Sequence, residues 1–192
     1  CKEEGYKILC TGEMGIGNTT TSSAIAAVLL GRPVEEVTGR GSGLTDAALK
    51  KKIDTIKKAI AVNKPDPDDA LDVLHKLGGF DIAGMVGLFL GGAIYRIPIV
   101  IDGLISSVSA LTAARLCPNA RYAMIPSHVS GEPAGEYLMR ELGMTPIIHA
   151  GMRLGEGTGA VSLLPLLDMA LAVYHGSSKF DDIGLAPYEK LS

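Results

Sequence analysis

The segment LCTGEMGIGNTTTSSAIAAVLLG, Leu9–Gly31, runs from a short apolar stretch through three closely spaced glycines into a long series of small and apolar residues. This order is typical of a buried strand, a tight turn and a helix. We therefore predict a strand over residues 7–11, followed by a helix that is capped by Asn18 or Thr19 and ends at Gly31. The glycine turn between them is the first candidate for a ligand site.

The rest of the chain continues this alternation of strands and helices. Thr45 or Asp46 is placed to cap a helix with apolar residues at helical spacing, and 97–101 is typical of a buried parallel strand that ends at Asp102. We also predict helices at 67–78, 81–93, 104–116, 133–142 and 158–174, strands at 121–125 and 146–149, and a loose tail over about the last dozen residues. Such alternation predicts an α/β fold with an open, mostly parallel Rossmann-like sheet, helices on both faces and a single domain over residues 1–192.

Composition limits the possible partners. The chain has 192 residues, a net charge of −3 and a mean hydropathy of +0.27. Its lysines are scattered among acids, which argues against nucleic-acid binding. No uninterrupted apolar run reaches the ~18 residues that cross a bilayer. The most apolar segment, 82–94, contains four glycines, of which Gly84, Gly87 and Gly91 are suited to tight helix packing. Three cysteines without Cys-x-x-Cys spacing favour a reducing compartment, so we expect a cytoplasmic protein without a membrane span.

Four segments follow predicted strands and should meet. In open parallel sheets, ligands bind beyond the carboxyl ends of the strands. The segments 12–20, 102–103, 126–130 and 151–159 all fall at such ends. We therefore expect them to converge on one site.

The first glycine turn has no standard phosphate-binding motif. Gly12, Gly15 and Gly17 are spaced G-x-x-G-x-G, the reverse of the dinucleotide fingerprint, and the chain has no G-x-x-x-x-G-K-[ST] loop. Glycines still let backbone N–H groups approach an anion at a helix start. A tight turn that binds nothing is the alternative. The acid Glu13 favours a ligand, because a carboxylate beside a phosphate is unfavourable unless it meets a hydroxyl or a developing cation.

A second glycine-flanked acid occurs at Glu156, in the sequence Arg153-Leu-Gly-Glu-Gly157. This carboxylate could simply complement the dipole of the following helix. Arg153 and the flanking Gly155 and Gly157 favour an acid that faces a ligand. A partly desolvated Glu at this place is suited to general-base catalysis.

Other charged residues are less informative. Lys50 and Lys51 fit a solvated helix face, and Lys52 continues the run. Ser130 lies with His128 in a loop after a strand. His75 and His149 lack metal-ligand spacing to any other residue and are interpreted as structural.

Several segments together resemble one enzyme family. The segments GEMGIGNTT, AIAVNKPDP, DALDVLHKLGGFDIAGMVG, PIVIDGLISS, IPSHVSGE and MRLGEGTGA closely resemble nicotinate-nucleotide–dimethylbenzimidazole phosphoribosyltransferases, in order and nearly without gaps. Members of that family are about twice as long, and this chain resembles their C-terminal half. The missing N-terminal half supplies a small helical part and much of the pocket for the base.

The resemblance implies a reaction and its residues. Members transfer 5-phosphoribose from nicotinate mononucleotide to 5,6-dimethylbenzimidazole, which gives α-ribazole 5′-phosphate and nicotinate for cobamide synthesis. It implies Glu156 as the catalytic base, with Glu13 and Lys52 as further catalytic residues. The expected substrate-binding residues are Gly12, Gly15, Gly17, Asn18, Thr19, Thr20, Asp102, Gly103, Ser130, Arg153, Gly155 and Gly157.

The same resemblance implies the remaining partners. A homodimer is expected, or association with the missing N-terminal half. No metal or other cofactor is expected, because the leaving group departs as a neutral pyridine ring rather than as a diphosphate. Two alternatives remain open: a related phosphoribosyltransferase that accepts another base, and a catalytically silent nucleotide-binding fragment.

Overall fold

The computed structural model describes residues 1–178 together with Asp182, Gly184 and Ala186, so the predicted tail lies largely outside the described residues. The strands are β1 (Leu9–Cys10), β2 (Ile99–Ile101) and β3 (Met124–Pro126), with a 3₁₀ helix at Pro118–Ala123. The helices are α1 (Asn18–Leu30), α2 (Val34–Val37), α3 (Asp46–Asn63), α4 (Ala70–Leu77), α5 (Phe80–Tyr95), α6 (Leu104–Leu116), α7 (Gly135–Leu142) and α8 (Thr158–Gly176).

The three strands form one parallel sheet in the order β1-β2-β3. Leu9 is paired with Ile99, and Ile99 is paired in turn with Met124. The central strand β2 is fully buried, as its unbroken run of β-branched residues indicates. The predicted parallel α/β sheet is confirmed.

Helices cover both faces of this sheet. Side chains of a strand alternate between its faces. Ile99 and Ile101 belong to the larger apolar cluster, to which helices α1–α7 contribute. Val100 points the other way and packs with Ala160 and Leu163 of α8. The prediction of helices on both faces is therefore confirmed, with α8 on one face.

The caps of the first helix differ from the prediction. Gly17, with φ 87°, is the N-cap of α1 and provides no side-chain hydrogen bond. Asn18 is instead the first helical residue, because its carboxamide is engaged by acidic side chains of the site. The other predicted ends are observed: Gly31 ends α1 in the left-handed conformation, and Thr45 caps α3 by accepting a hydrogen bond from the Ala48 N–H.

Two predicted strands are wrong or shifted. The 3₁₀ helix Pro118–Ala123 occupies most of the segment predicted as a strand at 121–125, since Pro118 presets a helical φ, and β3 begins only at Met124. The segment predicted as a strand at 146–149 makes only an isolated bridge between His128 and Ile148. Pro146 lacks an N–H group, which prevents the ladder from extending backwards.

The glycines of α5 do not make the tight packing that we predicted. A Cβ atom at Gly84, Gly87 or Gly91 would meet nothing within 4 Å. Gly92 is different, because a Cβ there would collide with the side chain of Ile99. None of the three glycines predicted to pack tightly does so, and Gly92, which was not predicted, is the glycine of α5 that packs on the sheet.

The C-terminal half of helix α8 is exposed. Of the helices in the described part of the chain, it is the one that is long and apolar enough to cross a membrane by length and composition, with 19 residues and a mean hydropathy of 1.3. Its inner face packs on the sheet through Ala160 and Leu163. Residues 168–176 are exposed on all sides of the helix, including Met169, Leu171 and Val173. We interpret α8 as a covering helix of the sheet.

Candidate active site

A cavity of about 320 Å³ lies beyond the carboxyl ends of the strands. Residues from all four predicted segments line it: 12–19, Asp102 and Gly103, His128 with Ser130, and 152–156. The alternation of strands and helices predicted from the sequence therefore located the cavity. Of the predicted site residues, Thr20, Lys52 and Gly157 do not line it.

Two similar turns form one wall of the cavity. Gly17 (φ 87°, ψ −3°) precedes α1, and Gly157 (φ 84°, ψ −2°) precedes α8 in almost the same conformation. Neither glycine provides a side-chain cap, and neither helix has an acid in its first turn. A side chain is disfavoured at both positions because they are left-handed. The start of α1 therefore offers N–H groups and a positive dipole end to an anion at the cavity, whereas the carboxylate of Asp102 already accepts from two N–H groups at the start of α8.

Glu13 is half-buried at the base of the first turn. The carboxamide of Asn18 donates hydrogen bonds to Glu13 and to Asp81, the latter at 2.9 Å. Burial raises the pKa of Glu13; the bond from Asn18 opposes this shift, and the negative charges of Asp81, Asp102 and Glu156 add to it. Glu13 is therefore an acid in a negatively charged environment, which favours a proton or a cationic group beside it.

Glu156 stands in an unusual backbone conformation. Its φ is 59°, between Gly155 at 77° and Gly157 at 84°. A left-handed residue other than glycine costs about 1–2 kcal/mol, and such positions cluster at functional sites. The side chain lines the cavity but is exposed, so the predicted desolvation is not observed. No residue in the described part of the chain covers it.

Asp102 acts as a clamp between the sheet and α8. It is buried, and its two carboxylate oxygens accept hydrogen bonds from the backbone N–H groups of Gly157 and Ala160, each at 3.0 Å. The residue follows β2, so this pair of bonds joins the central strand to the start of α8. Asp102 lines the cavity, but its hydrogen-bonding capacity is largely used within the protein.

Lys52 lies behind the wall of the cavity. Its buried ammonium group donates hydrogen bonds to Thr19 Oγ1 at 2.9 Å and to the Gly39 carbonyl at 3.0 Å. Burial lowers the pKa of Lys52, and the negative charge of Glu132 partly opposes this. In this arrangement Lys52 reaches the cavity through Thr19, which does line it. Lys52 itself is not among the residues that line the cavity.

Ser130 and Arg153 approach the cavity from neighbouring loops. The Gly131 N–H donates to the Met152 carbonyl at 2.9 Å, which ties these loops together. A Cβ atom at Gly131 would lie 2.9 Å from Cγ and Nε of Arg153, so this glycine leaves room for the arginine side chain. Arg153 is exposed and belongs to none of the ion pairs among the described residues. Its guanidinium group can therefore meet an anion at the cavity.

Three polar residues of the site were missed or left unassigned. Asp81 is joined to Glu13 through Asn18, and Glu132 and His128 line the cavity. The loop position of His128 after a strand was the available signal. Asp81 gave none, because it opens a helix that is distant from the turn in sequence. No group of three or more His, Cys, Asp and Glu side chains in the described residues could hold a metal ion.

These features place the chain among α/β proteins whose site lies at the carboxyl edge of a parallel sheet. Residues 1–185 match the family described as Phosphoribosyltransferase, and the chain belongs to that family. The expected resemblance is thereby confirmed.

Curated relatives are similar over nearly the whole chain. It is 52% identical over 190 residues to nicotinate-nucleotide–dimethylbenzimidazole phosphoribosyltransferase of Clostridium acetobutylicum, covering 99% of this chain and 54% of the relative. It is 49% identical to the enzyme of the same name from Ruminiclostridium cellulolyticum, again over 99% of this chain and 54% of the relative. The chain thus spans about half the length of the curated relatives it matches.

A solved structure supports the fold. The crystal structure of CobT from Thermus thermophilus superposes with a TM-score of 0.89 at 35% identity, covering 96% of this chain and 55% of that one. This likeness establishes the arrangement of helices around the small parallel sheet in the described residues.

Proposed function

We propose that this chain carries the phosphoribosyl-binding and catalytic part of an enzyme that transfers 5-phosphoribose from nicotinate mononucleotide to 5,6-dimethylbenzimidazole. The products are α-ribazole 5′-phosphate and nicotinate, for cobamide synthesis. The observation that carries this proposal is the cavity at which the start of α1, which no side chain caps, meets the acids Glu13 and Glu156. The names of the relatives supply the two substrates.

The phosphate end is assigned to the glycine turns. Backbone N–H groups at the start of α1 attract an anion, and Arg153 adds a positive charge from the loop that precedes α8. Lys52 supports this end indirectly, since it holds the hydroxyl of Thr19. In this proposal these residues bind either the phosphate of the nucleotide or the carboxylate of nicotinate.

The two acids take different roles. Glu156 accepts the N–H proton of the imidazole ring as the ring attacks C1′ of the ribosyl group. The bond from C1′ to the pyridinium nitrogen breaks, and its electron pair leaves with the ring, which becomes neutral. Glu13 stabilises the positive charge that develops on the ribosyl ring or binds its hydroxyls. The neighbouring carboxylates strengthen that effect, because a cation is favoured where negative charges are crowded.

The rim of the cavity fits a flat aromatic ring. Met14, Ile16 and Leu154 are exposed apolar residues in the two glycine turns, and all three line the cavity. A planar base placed between them would cover apolar surface that is otherwise in water. This rim does not by itself select dimethylbenzimidazole, so bases of similar shape are compared in the test.

Assembly is part of the proposal. We propose a cytoplasmic homodimer built from one α/β domain per chain, with the remaining half of the family enzyme packed beside it. Exposed apolar residues of α8 support a covered surface, namely Val161, Met169, Leu171, Val173 and Tyr174. Light scattering at micromolar concentration tests the dimer, and a clean monomer in the presence of the other half would contradict it.

The function is tested by nicotinate release from nicotinate mononucleotide. The chain is assayed alone and mixed with the part of the Clostridium acetobutylicum relative that lies outside the matched region. We expect release that depends on dimethylbenzimidazole and is accompanied by α-ribazole 5′-phosphate. Purines and phenols serve as competing bases, and a preference for one of them would change the proposed substrate. Binding of the nucleotide without turnover in either mixture would identify a silent module.

A further inference from the structure

His128 is a buried ring at the wall of the cavity. It is 3% exposed and lies in the loop after β3. Its neighbours Ser127 and Val129 both form backbone hydrogen bonds with Ile148. Its ring packs against Gly159 in the first turn of α8, where a Cβ atom would collide with the ring. The ring is therefore held in one orientation by the sheet and by α8.

The hydrogen bonds around His128 determine which ring nitrogen carries the proton. The hydroxyl of Ser127 donates its one proton to the Ile101 carbonyl at 2.6 Å, and that carbonyl can only accept. The same Ser127 oxygen lies 2.9 Å from His128 Nδ1. Ser127 must accept in this second contact, so Nδ1 carries the hydrogen and donates it. In the neutral ring, Nε2 is then an acceptor with a free lone pair.

The free nitrogen lies on the side of the cavity. Nε2 is 3.9 Å from the position of a Cβ at Gly103, which lines the cavity. It makes no hydrogen bond with any residue of the described chain. Burial lowers the pKa of His128, and the charge of Asp102 opposes this shift. The neutral ring is consequently favoured near neutral pH, which keeps Nε2 an acceptor.

We propose that Nε2 of His128 binds a hydroxyl group of the ligand's sugar by accepting its hydrogen bond. The inference rests on the proposed function, since it requires a ribosyl ligand in this cavity. The other polar groups suit other parts of that ligand: the start of α1 and Arg153 are donors, which fit the anionic end. Glu13 and Asp102 also line the cavity, but their carboxylates already accept hydrogen bonds from N–H groups of the protein, whereas Nε2 of His128 is an unengaged acceptor fixed in direction.

The test compares variants and ligands by calorimetry. His128→Leu removes the acceptor, and His128→Gln returns a carbonyl oxygen near the position of Nε2. We expect His128→Leu to weaken binding of nicotinate mononucleotide by about 5- to 10-fold, the effect of one hydrogen bond. His128→Gln should recover most of this loss. His75→Leu, on the exposed side of α4, is the matched control and should leave the dissociation constant unchanged.

A ligand series separates a hydroxyl contact from a general loss of shape. The 2′-deoxy and 3′-deoxy forms of the nucleotide are bound to wild type and to His128→Leu. For the form that lacks the contacted hydroxyl, the two proteins should bind equally well. Equal weakening of all three ligands would overturn the proposal, as would a loss confined to dimethylbenzimidazole, which would assign Nε2 to the base.

Nitrogen NMR of the wild-type ring keeps the test independent of folding of the variants. We expect Nδ1 to be protonated and Nε2 unprotonated in the free protein, with the Nε2 signal shifted when the nucleotide binds. A protonated Nε2, or a signal that does not move on binding, would refute the inference. If wild type does not bind the nucleotide at all, the proposed function itself fails; if it binds and His128→Leu binds equally, only this inference fails.

Discussion

A Cβ atom at Gly12 would lie 2.9 Å from both the Cα and the backbone nitrogen of Gly157. The two residues belong to the two glycine turns, and their backbones touch because neither has a side chain. This contact brings the starts of α1 and α8 to the same cavity.

Gly12→Ala should separate the two turns. We expect a loss of about 1–3 kcal/mol in the free energy of unfolding, since overpacking against rigid backbone is costly, together with weaker binding of nicotinate mononucleotide. Urea unfolding and calorimetry measure the two effects. Gly176→Ala is the control, because a Cβ there meets nothing within 4 Å. If Gly12→Ala matches this control in stability and binding, the contact has no structural importance.

Asp102→Asn should destabilise the fold. The carboxylate accepts hydrogen bonds from the backbone N–H groups of Gly157 and Ala160. An asparagine would present its NH₂ group to one of these two donors, which would then lack an acceptor. We expect a loss of about 1–3 kcal/mol, the cost of an unsatisfied buried polar group. The exposed Asp68→Asn should stay within about 0.5 kcal/mol of wild type. If Asp102→Asn keeps its stability but binds the nucleotide poorly, Asp102 contacts the ligand directly, as expected from the sequence.

Glu13 should make stability fall as pH rises. Its pKa in the folded protein is raised above the ordinary value of 4.5. The contribution of Glu13 to the free energy of unfolding is fully present below pH 4.5, and it is lost as the pH rises through the raised pKa. Between pH 4 and pH 7, the free energy of unfolding of wild type should therefore fall relative to that of Glu13→Gln. Glu35→Gln should show the opposite slope, because the hydrogen bond from Lys57 lowers the pKa of Glu35. A flat difference for Glu13→Gln would contradict the assigned shift.

Glu156→Gln should impair turnover more than binding. The substitution keeps the size of the side chain and removes its basicity, and positioned proton transfer contributes about 10²–10⁴-fold. We expect kcat to fall by about that factor in the active assembly, with little change in the dissociation constant of nicotinate mononucleotide, since the proton comes from the incoming base. Near-normal kcat on both sides of neutral pH would show that Glu156 is not the base, and Glu13 would be tested next.

Local patterns in the sequence were sufficient for the architecture. The apolar run of β2 and the regular alternation of elements predicted a parallel sheet, which the pairing of Ile99 with Leu9 and Met124 confirms. Gly31 and Thr45 were correctly predicted as helix ends, because end signals depend on a few neighbouring residues. The position of the cavity followed from the same topology, since the carboxyl ends of parallel strands lie at one edge.

Side-chain partners were decided by the tertiary structure. Asn18 was expected to cap α1, but Asp81, from a distant helix start, engages its carboxamide. Lys52 was expected at the ligand, yet Thr19 and the Gly39 carbonyl bind its ammonium group behind the wall.

The chemistry of single groups also depended on long-range contacts. The tautomer of His128 follows from the hydroxyl that Ser127 directs to Ile101 of the neighbouring strand. Sequence alone determined the alternation of elements and the edge where the site forms, because periodicity and turn chemistry are local. Only the folded chain decided which donors meet which acceptors, because a hydrogen bond needs atoms within about 3 Å, and that proximity arises between segments far apart in the sequence.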